Sequence, residues 1–289
     1  MKITFYGVRG SIPVANKQMM KYGGNTSCVY VQLSDGGHII FDAGTGIRRL
    51  GKELASSNEP IHLLLSHNHW DHVMGYPFFQ PIYQKDREIH IYSSQPNSHG
   101  QLCTLLDQMD GAHFPITAEQ LPSKSRCVLS DIDDELRDSG FTIQRRLLNH
   151  PGGGNAYKII DDGATCAYIT DNELDISAKR SANYDQWVEF CSGVDVLIHD
   201  AQYRDDEFPS KKGWGHSGIS TVRQLALDAE VRELFLFHHD PDRTDAEMDQ
   251  LFQQTRTFFL EKNQEIQGVC AVEGMSVQVD KDNITFITN

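Results

Sequence analysis

The stretch LLLSHNHWDHVMG, residues 63–75, joins a run of leucines to three histidines and one aspartate packed into six positions, His67 to His72. The preceding IHLLLS (61–66) is a near-continuous apolar run, the pattern of a strand buried on both faces. A lone histidine is usually a satisfied core or surface residue. Four ligand-type side chains directly after a buried strand read instead as a metal or catalytic cluster. Zinc takes imidazole and carboxylate donors in sites of about four, and catalytic sites keep one position open. A turn over H-x-H-x-D-H can send His67 and His69 to one ion and Asp71 and His72 to another. Four donors start two sites and fill neither, so the remainder must come from elsewhere in the chain.

Working outward, the same pattern recurs at strand ends. QRRLLN runs into His150, AYIT into Asp171, VLIH into Asp200 and LFLF into His238. Rigid strands aim the residues at their tips, and convergent tips make one site. CVYVQL and HIIFDA flank Ser34-Asp35-Gly36-Gly37, a hairpin signal. GIRRLGKELA, QLCTLLDQM, NYDQWVEFCSG, GISTVRQLALDAE and DAEMDQLFQQTRTFFLEK carry helical patterns. Strands dominate early and alternate with helices later, so a layered α/β chain with internal sheets and outer helices is expected, as one domain over residues 1–289.

A net charge of −14 repels long polyanions, and no basic cluster offsets it. A small anion could bind only where metal ions supplied positive charge. The six cysteines are scattered with no C-x-x-C pair, which favours buried free thiols in a reducing compartment. MKITFYGVRGSIP lacks the apolar stretch of a signal peptide, and nothing approaches the roughly 20 apolar residues of a membrane span. A cytoplasmic protein without membrane partners is expected.

With H-x-H-x-D-H in place, the chain resembles the metallo-β-lactamase superfamily. IIFDAGTGI, NHPGGG, YITDNE and LFLFHHDP are similar to its flanking motifs, in order. Within it the chain looks closest to the tRNase Z and phosphodiesterase-like branch, since VLIHDAQY resembles that branch's HEAT segment and GHSGIS its HST segment. The resemblance implies a four-layer αββα sandwich of two internal mixed sheets with outer helices. It implies that His67, His69 and His150 bind one ion, that Asp71, His72 and His238 bind the other, and that Asp171 bridges them. Asp71 counts as catalytic as well. Asp200 and His216 correspond to the branch's proton-handling pair, with Asp in place of the usual Glu. Two divalent ions follow, zinc first, with manganese or iron accepted by the same donors. The branch is often dimeric, so a homodimer is one expected assembly.

Two ions about 3.5–4 Å apart would generate a bridging hydroxide at neutral pH and hold phosphoryl oxygens against it. His216, held by Asp200, is then the general acid for the leaving oxygen. The tRNA-maturing members carry a basic, Gly/Pro-rich arm between the ligands matching His150 and Asp171. Here only PGGGNAYKIIDDGATCAYIT lies between. The expected substrate is therefore a small phosphodiester, a cyclic nucleotide first, with no long nucleic acid. The alternatives are a lactonase or other ester hydrolase, a tRNA 3′-processing endonuclease, and a non-catalytic sensor. Arg9, Tyr22 and Asn25, in the Gly-rich loops GVRGSIP and YGGNTSCV, are candidate substrate contacts, and residues 73–140 a candidate pocket wall.

Overall fold

The computed structural model describes residues 1–93, 104–128, 140–174 and 181–287. In chain order its strands are β1 Lys2–Gly7, β2 Cys28–Gln32, β3 His38–Phe41, β4 Ile61–Leu64, β5 Glu88–Tyr92, β6 Lys124–Val128, β7 Phe141–Leu147, β8 Asn155–Asp161, β9 Ala164–Ile169, β10 Val196–Asp200, β11 Glu233–Phe237, β12 Val269–Cys270, β13 Ser276–Asp280 and β14 Asn283–Ile287. They form an eight-stranded sheet, β14-β13-β1-β2-β3-β4-β5-β6, and a six-stranded sheet, β12-β11-β10-β9-β8-β7. Both are mixed: β3 to β6 run parallel, as do β9 to β12, while the hairpins β1–β2, β2–β3, β7–β8 and β8–β9 are antiparallel.

Strand alternation builds the layers. Ile39 and Phe41 of β3 point between the sheets with Val196 and Ile198 of β10, whereas Ile40 and Leu197 point outward. Ile40, Leu63 and Ile91 pack under the helix Ile47–Leu54. Leu197, Leu234 and Leu236 pack under the helices Tyr184–Cys191, Ile219–Asp228 and Asp245–Glu261. A strand covered on both sides has no polar face, which is why IHLLLS and VLIH read as unbroken apolar runs. The helix starts are locally encoded. Thr244 accepts from the Glu247 amide while the Glu247 carboxylate reaches back to the Thr244 amide. Asn183 and Gln186 make the same reciprocal cap.

The register places the site. Asp200 lies opposite Phe237, and His199 opposite Ile169. The carboxyl ends of β9, β10 and β11 therefore finish level, with Asp171, Asp200 and His238 side by side. β4, in the other sheet, delivers His67 to the same end.

Two expectations need correction or limits. Cys28, Cys166, Cys191 and Cys270 are buried free thiols as expected, but Cys127 is disulfide-bonded. Cysteine spacing alone does not reveal which thiols come within bonding reach. The expected helix at QLCTLLDQM is described only over Thr104–Asp107; residues 101–103 lie outside the described residues. Among the described residues no helix is long and apolar enough to cross a membrane.

Phe41 sits between the sheets, fully buried, its ring stacked 4.7 Å from Tyr168 and 5.9 Å from Tyr157. Phe41→Ala is expected to cost about 3–5 kcal/mol of stability by chemical denaturation. A loss below about 1 kcal/mol would mean the two sheets can close over the gap.

Candidate metal centre

Four turns after strands bring the ligand-type residues together. His67 precedes, and His69 stands at the N-cap position of, the single helical turn Trp70–Val73, which carries Asp71 and His72. His150 follows β7, Asp171 follows β9, and His238 follows β11. Donor atoms of His67, His69, His150 and Asp171 lie within 4.8 Å of one another, and so do those of Asp71, His72 and His238. Asp171 faces both groups. Its Oδ2 is 3.5 Å from His67 Nε2 and 3.9 Å from His150 Nε2, while its Oδ1 is 3.2 Å from His72 Nε2 and 3.1 Å from His238 Nε2. Asp71 Oδ2 lies 3.1 Å from His238 Nε2 and 3.3 Å from His72 Nε2.

This donor set fits divalent ions. His67 Nε2 and His72 Nε2 are buried and make no hydrogen bond, which is costly for a polar atom unless something else engages it. The opposite ring nitrogens are held. His72 Nδ1 lies 2.8 Å from Asp42 Oδ2, His238 Nδ1 3.0 Å from Gln202 Oε1, and His150 Nδ1 donates to the Gly215 carbonyl at 3.0 Å. Such second contacts fix the tautomer and aim Nε2 inward. His69 is the exposed member, its Nδ1 3.1 Å from His150 Nε2, so the centre opens to solvent on that side.

Electrostatics follow from burial and crowding. Burial pushes His67, His69 and His150 down, the last to about 4, so these rings are neutral and able to ligate. Burial opposes ionisation of Asp71 and Asp171 as well. His72 and His238 outweigh it and hold both carboxyls far below the usual range. For His72 burial is overcome by Asp71, Asp171 and Asp42, and its pKa lies well above the ordinary value. Three buried carboxylates around one ring concentrate negative charge that cations would neutralise.

Backbone conformation at the centre is unusual. Asp42, Asp171 and His238 occupy the left-handed region, with φ of 60°, 52° and 57°. Non-glycine residues adopt it rarely, and at some energetic cost. Here it turns each side chain off its strand axis into the site. At Gly10 a Cβ would strike the His238 ring, so only glycine permits that loop to close on the ligand.

His216 and Asp200 form a second unit. Nδ1 of His216 donates to Asp200 Oδ2 at 2.7 Å, so the shorter aspartate reaches. The His216 ring stacks 5.1 Å from His238, and its Nε2 lies 4.0 Å from Asp171 Oδ2. Burial disfavours the imidazolium, but Asp200 first and then Asp171 outweigh it and lift His216 to about 9.

The loop candidates divide. Arg9 is fully buried and donates to the carbonyls of Gly23, Asp240 and Arg243 at 2.8, 3.0 and 2.8 Å. It ties three loops together, and its guanidinium is taken up by backbone carbonyls rather than presented at the surface. Asn25 is committed too: its Nδ2 donates to Glu273 and its Oδ1 accepts from Thr45. The Tyr22 hydroxyl donates to Asp249 at 2.7 Å. The loop nevertheless enters the centre through Ser11, whose amide donates to Asp71 Oδ2 at 2.6 Å. His239 turns away, buried, its Nε2 donating to the Ala271 carbonyl at 2.8 Å. Residues 94–103 and 129–139 of the proposed wall at residues 73–140 lie outside the described residues; in the rest, Phe78 is exposed and edge-on to Phe114.

Sequence reasoning did not single out Asp42. It is fully buried and accepts from the Ser66 amide, the Ser66 hydroxyl and the Tyr168 hydroxyl, at 2.7–2.8 Å, besides facing His72. An aspartate ending an apolar strand in IIFDAG was the available signal. Gln202, two residues past Asp200, left none.

Residues 38–239 match the family model described as the beta-lactamase superfamily domain. The chain is 22% identical over 317 residues to Ribonuclease Z of Haloarcula marismortui, covering 97% of this chain and 97% of that protein. Among solved structures, the metallo-beta-lactamase fold protein YhfI from Bacillus subtilis matches with a TM-score of 0.68 at 20% identity, over 96% of this chain and 99% of that one. A diphosphatase from the PhnP family matches with a TM-score of 0.67 at 15% identity, over 96% and 98%.

Proposed function

From the premise that the chain belongs to the metallo-β-lactamase superfamily, in its tRNase Z-like branch, we propose that it hydrolyses small phosphodiesters, cyclic nucleotides first, at a centre of two divalent ions. The observation that carries this reading is the His216–Asp200 pair set against the ligand cluster, since metal coordination alone does not require it. His67, His69 and His150 would hold one ion and Asp71, His72 and His238 the other, with Asp171 between, and zinc, manganese and iron suit these donors. Bound there, the ions would supply Lewis-acid polarisation and offset the substrate's charge.

The protein's own part is proton handling. Asp200 engages Nδ1 of His216, which leaves Nε2 as the nitrogen that faces the centre. To give a proton from Nε2 and keep one on Nδ1, the ring must begin as imidazolium. Two carboxylates near it favour that state. An alkoxide leaving group gains most from such a donor, and an anionic phosphate gains more from imidazolium than a neutral lactone does.

Substrate size is argued from the hairpin between His150 and Asp171. β8 and β9 pair continuously to Asp161 opposite Ala164, joined only by Asp162-Gly163. That leaves no arm for a tRNA between these ligands, and the net charge of −14 opposes polyanions. The second reading, cleavage of precursor tRNA, is favoured by the name Ribonuclease Z on the curated relatives, and it weighs against the expectation of no long nucleic acid. One assay separates the two. Protein loaded with Zn²⁺ or Mn²⁺ is expected to turn over 3′,5′- or 2′,3′-cyclic AMP and bis(p-nitrophenyl) phosphate, and to leave precursor tRNA uncut at low salt. Cleavage of the tRNA with no turnover of small diesters would reverse the assignment.

A further inference from the structure

Glu173 is fully buried, two residues past Asp171, and has no part in the ligand set or the proton-handling pair. Its carboxylate accepts the Gly213 amide with both oxygens at 2.9 Å, and the Gly215 amide through Oε2 at 3.0 Å. The next links are in the same loop. The Gly215 carbonyl takes the Nδ1–H of His150 at 3.0 Å, and His216 is the following residue. The loop is pinned again one residue on: the Ser217 hydroxyl donates to the Asn172 carbonyl at 2.6 Å and accepts from the Leu174 amide at 3.1 Å. Gly213 and Gly215 both have left-handed φ, 90° and 89°, and a Cβ at Gly215 would strike the His150 ring. The loop thus passes as close to a ligand as a backbone can.

We propose that Glu173 is a positioning residue, whose grip on the Gly213 and Gly215 amides holds one loop that both orients the His150 ring and sets His216 against Asp200. A carboxylate suits this task because both of its oxygens are acceptors, so it serves converging amides that a neutral amide side chain serves only in part. The His216 half of the proposal rests on the phosphodiesterase reading, and the His150 half does not.

The test uses Glu173→Ala and Glu173→Gln in the full chain. Three readouts are taken: calorimetric titration of metal-depleted protein with Zn²⁺, kcat and KM for bis(p-nitrophenyl) phosphate and cyclic AMP, and the unfolding temperature. The expected result is a loss of about 10–100-fold in affinity at one of the two metal steps, the usual effect of removing a residue that orients a ligand. kcat should fall by about tenfold or more with KM within about twofold, the pattern of losing an interaction made in the transition state. Gln should recover part of both, since its single oxygen can still take two amides from the Oε2 position. A folded Ala variant with wild-type zinc affinity and kcat would overturn the proposal. So would a lowered unfolding temperature with both unchanged, the mark of a loop that is only a structural strap. If Ala does not fold, the Gln variant decides by the same criteria. If wild-type protein turns over no phosphodiester, the functional reading fails, while the zinc titration still judges Glu173.

Discussion

Asp171→Ala is expected to lower phosphodiester turnover by about four powers of ten, roughly 5.5 kcal/mol of transition-state stabilisation. It is also expected to reduce zinc content to one ion per chain or fewer. The reason is geometric. Among the described residues Asp171 is the one whose two oxygens face different histidine groups, His67 and His150 on one side and His72 and His238 on the other. Removing it takes a donor from both groups and leaves four buried imidazoles around a gap. Asp171→Asn keeps the size but replaces one acceptor oxygen by an NH₂ donor, so it should retain at most one ion. Metal analysis by plasma emission, read alongside turnover of bis(p-nitrophenyl) phosphate, checks both variants. Two ions per chain in Asp171→Ala, with activity within tenfold of wild type, would show that the site does not bridge through this carboxylate.

His216→Ala is expected to lower kcat by about 10²–10⁴ on cyclic AMP, whose leaving alkoxide needs a proton. The same variant should lose about tenfold or less on bis(p-nitrophenyl) phosphate, whose phenolate departs unaided. The two substrates together separate a lost general acid from a damaged metal centre, because damage would suppress both equally. The pH dependence has a definite sign. In the acid role His216 would act from its protonated form, so the rate is expected to fall as pH rises through its pKa. Asp200 and Asp171 lift that pKa, against burial, to about 9. Cations at the centre would draw the alkaline limb below that value. Asp200→Asn removes the larger raising charge, so the limb should move to lower pH, and in His216→Ala it should vanish. Equal losses on both substrates, or an unchanged alkaline limb in Asp200→Asn, would remove His216 from the acid role.

Some of the molecule was written locally. The apolar run before H-x-H-x-D-H has the length and pattern of a strand covered on both sides, which fits a layered α/β fold. T-D-A-E and N-Y-D-Q fixed helix starts through side chains three residues apart. His67, His150, Asp171 and His238 stand just past the ends of strands, as the strand patterns implied, whereas His69, Asp71 and His72 sit at or within the helical turn that follows β4. Other features depended on parts of the chain that meet only on folding. Arg9, in a loop whose glycines suggested a ligand contact, is a buried tie between carbonyls up to 234 positions away. That His238 faces the cluster while its neighbour His239 turns to the Ala271 carbonyl depends on a left-handed backbone at His238 and a partner, Gln202, on the neighbouring strand's exit. Asp42 is brought to His72 by β3 lying parallel to β4. Glu173 reaches His150 only through a loop some 40 residues further on. The sequence by itself determined which residue types stand at strand ends, because burial periodicity and ligand chemistry are local properties. Only the tertiary structure decided which of them face one another, because sheet register and hydrogen bonds between distant loops leave no trace in spacing.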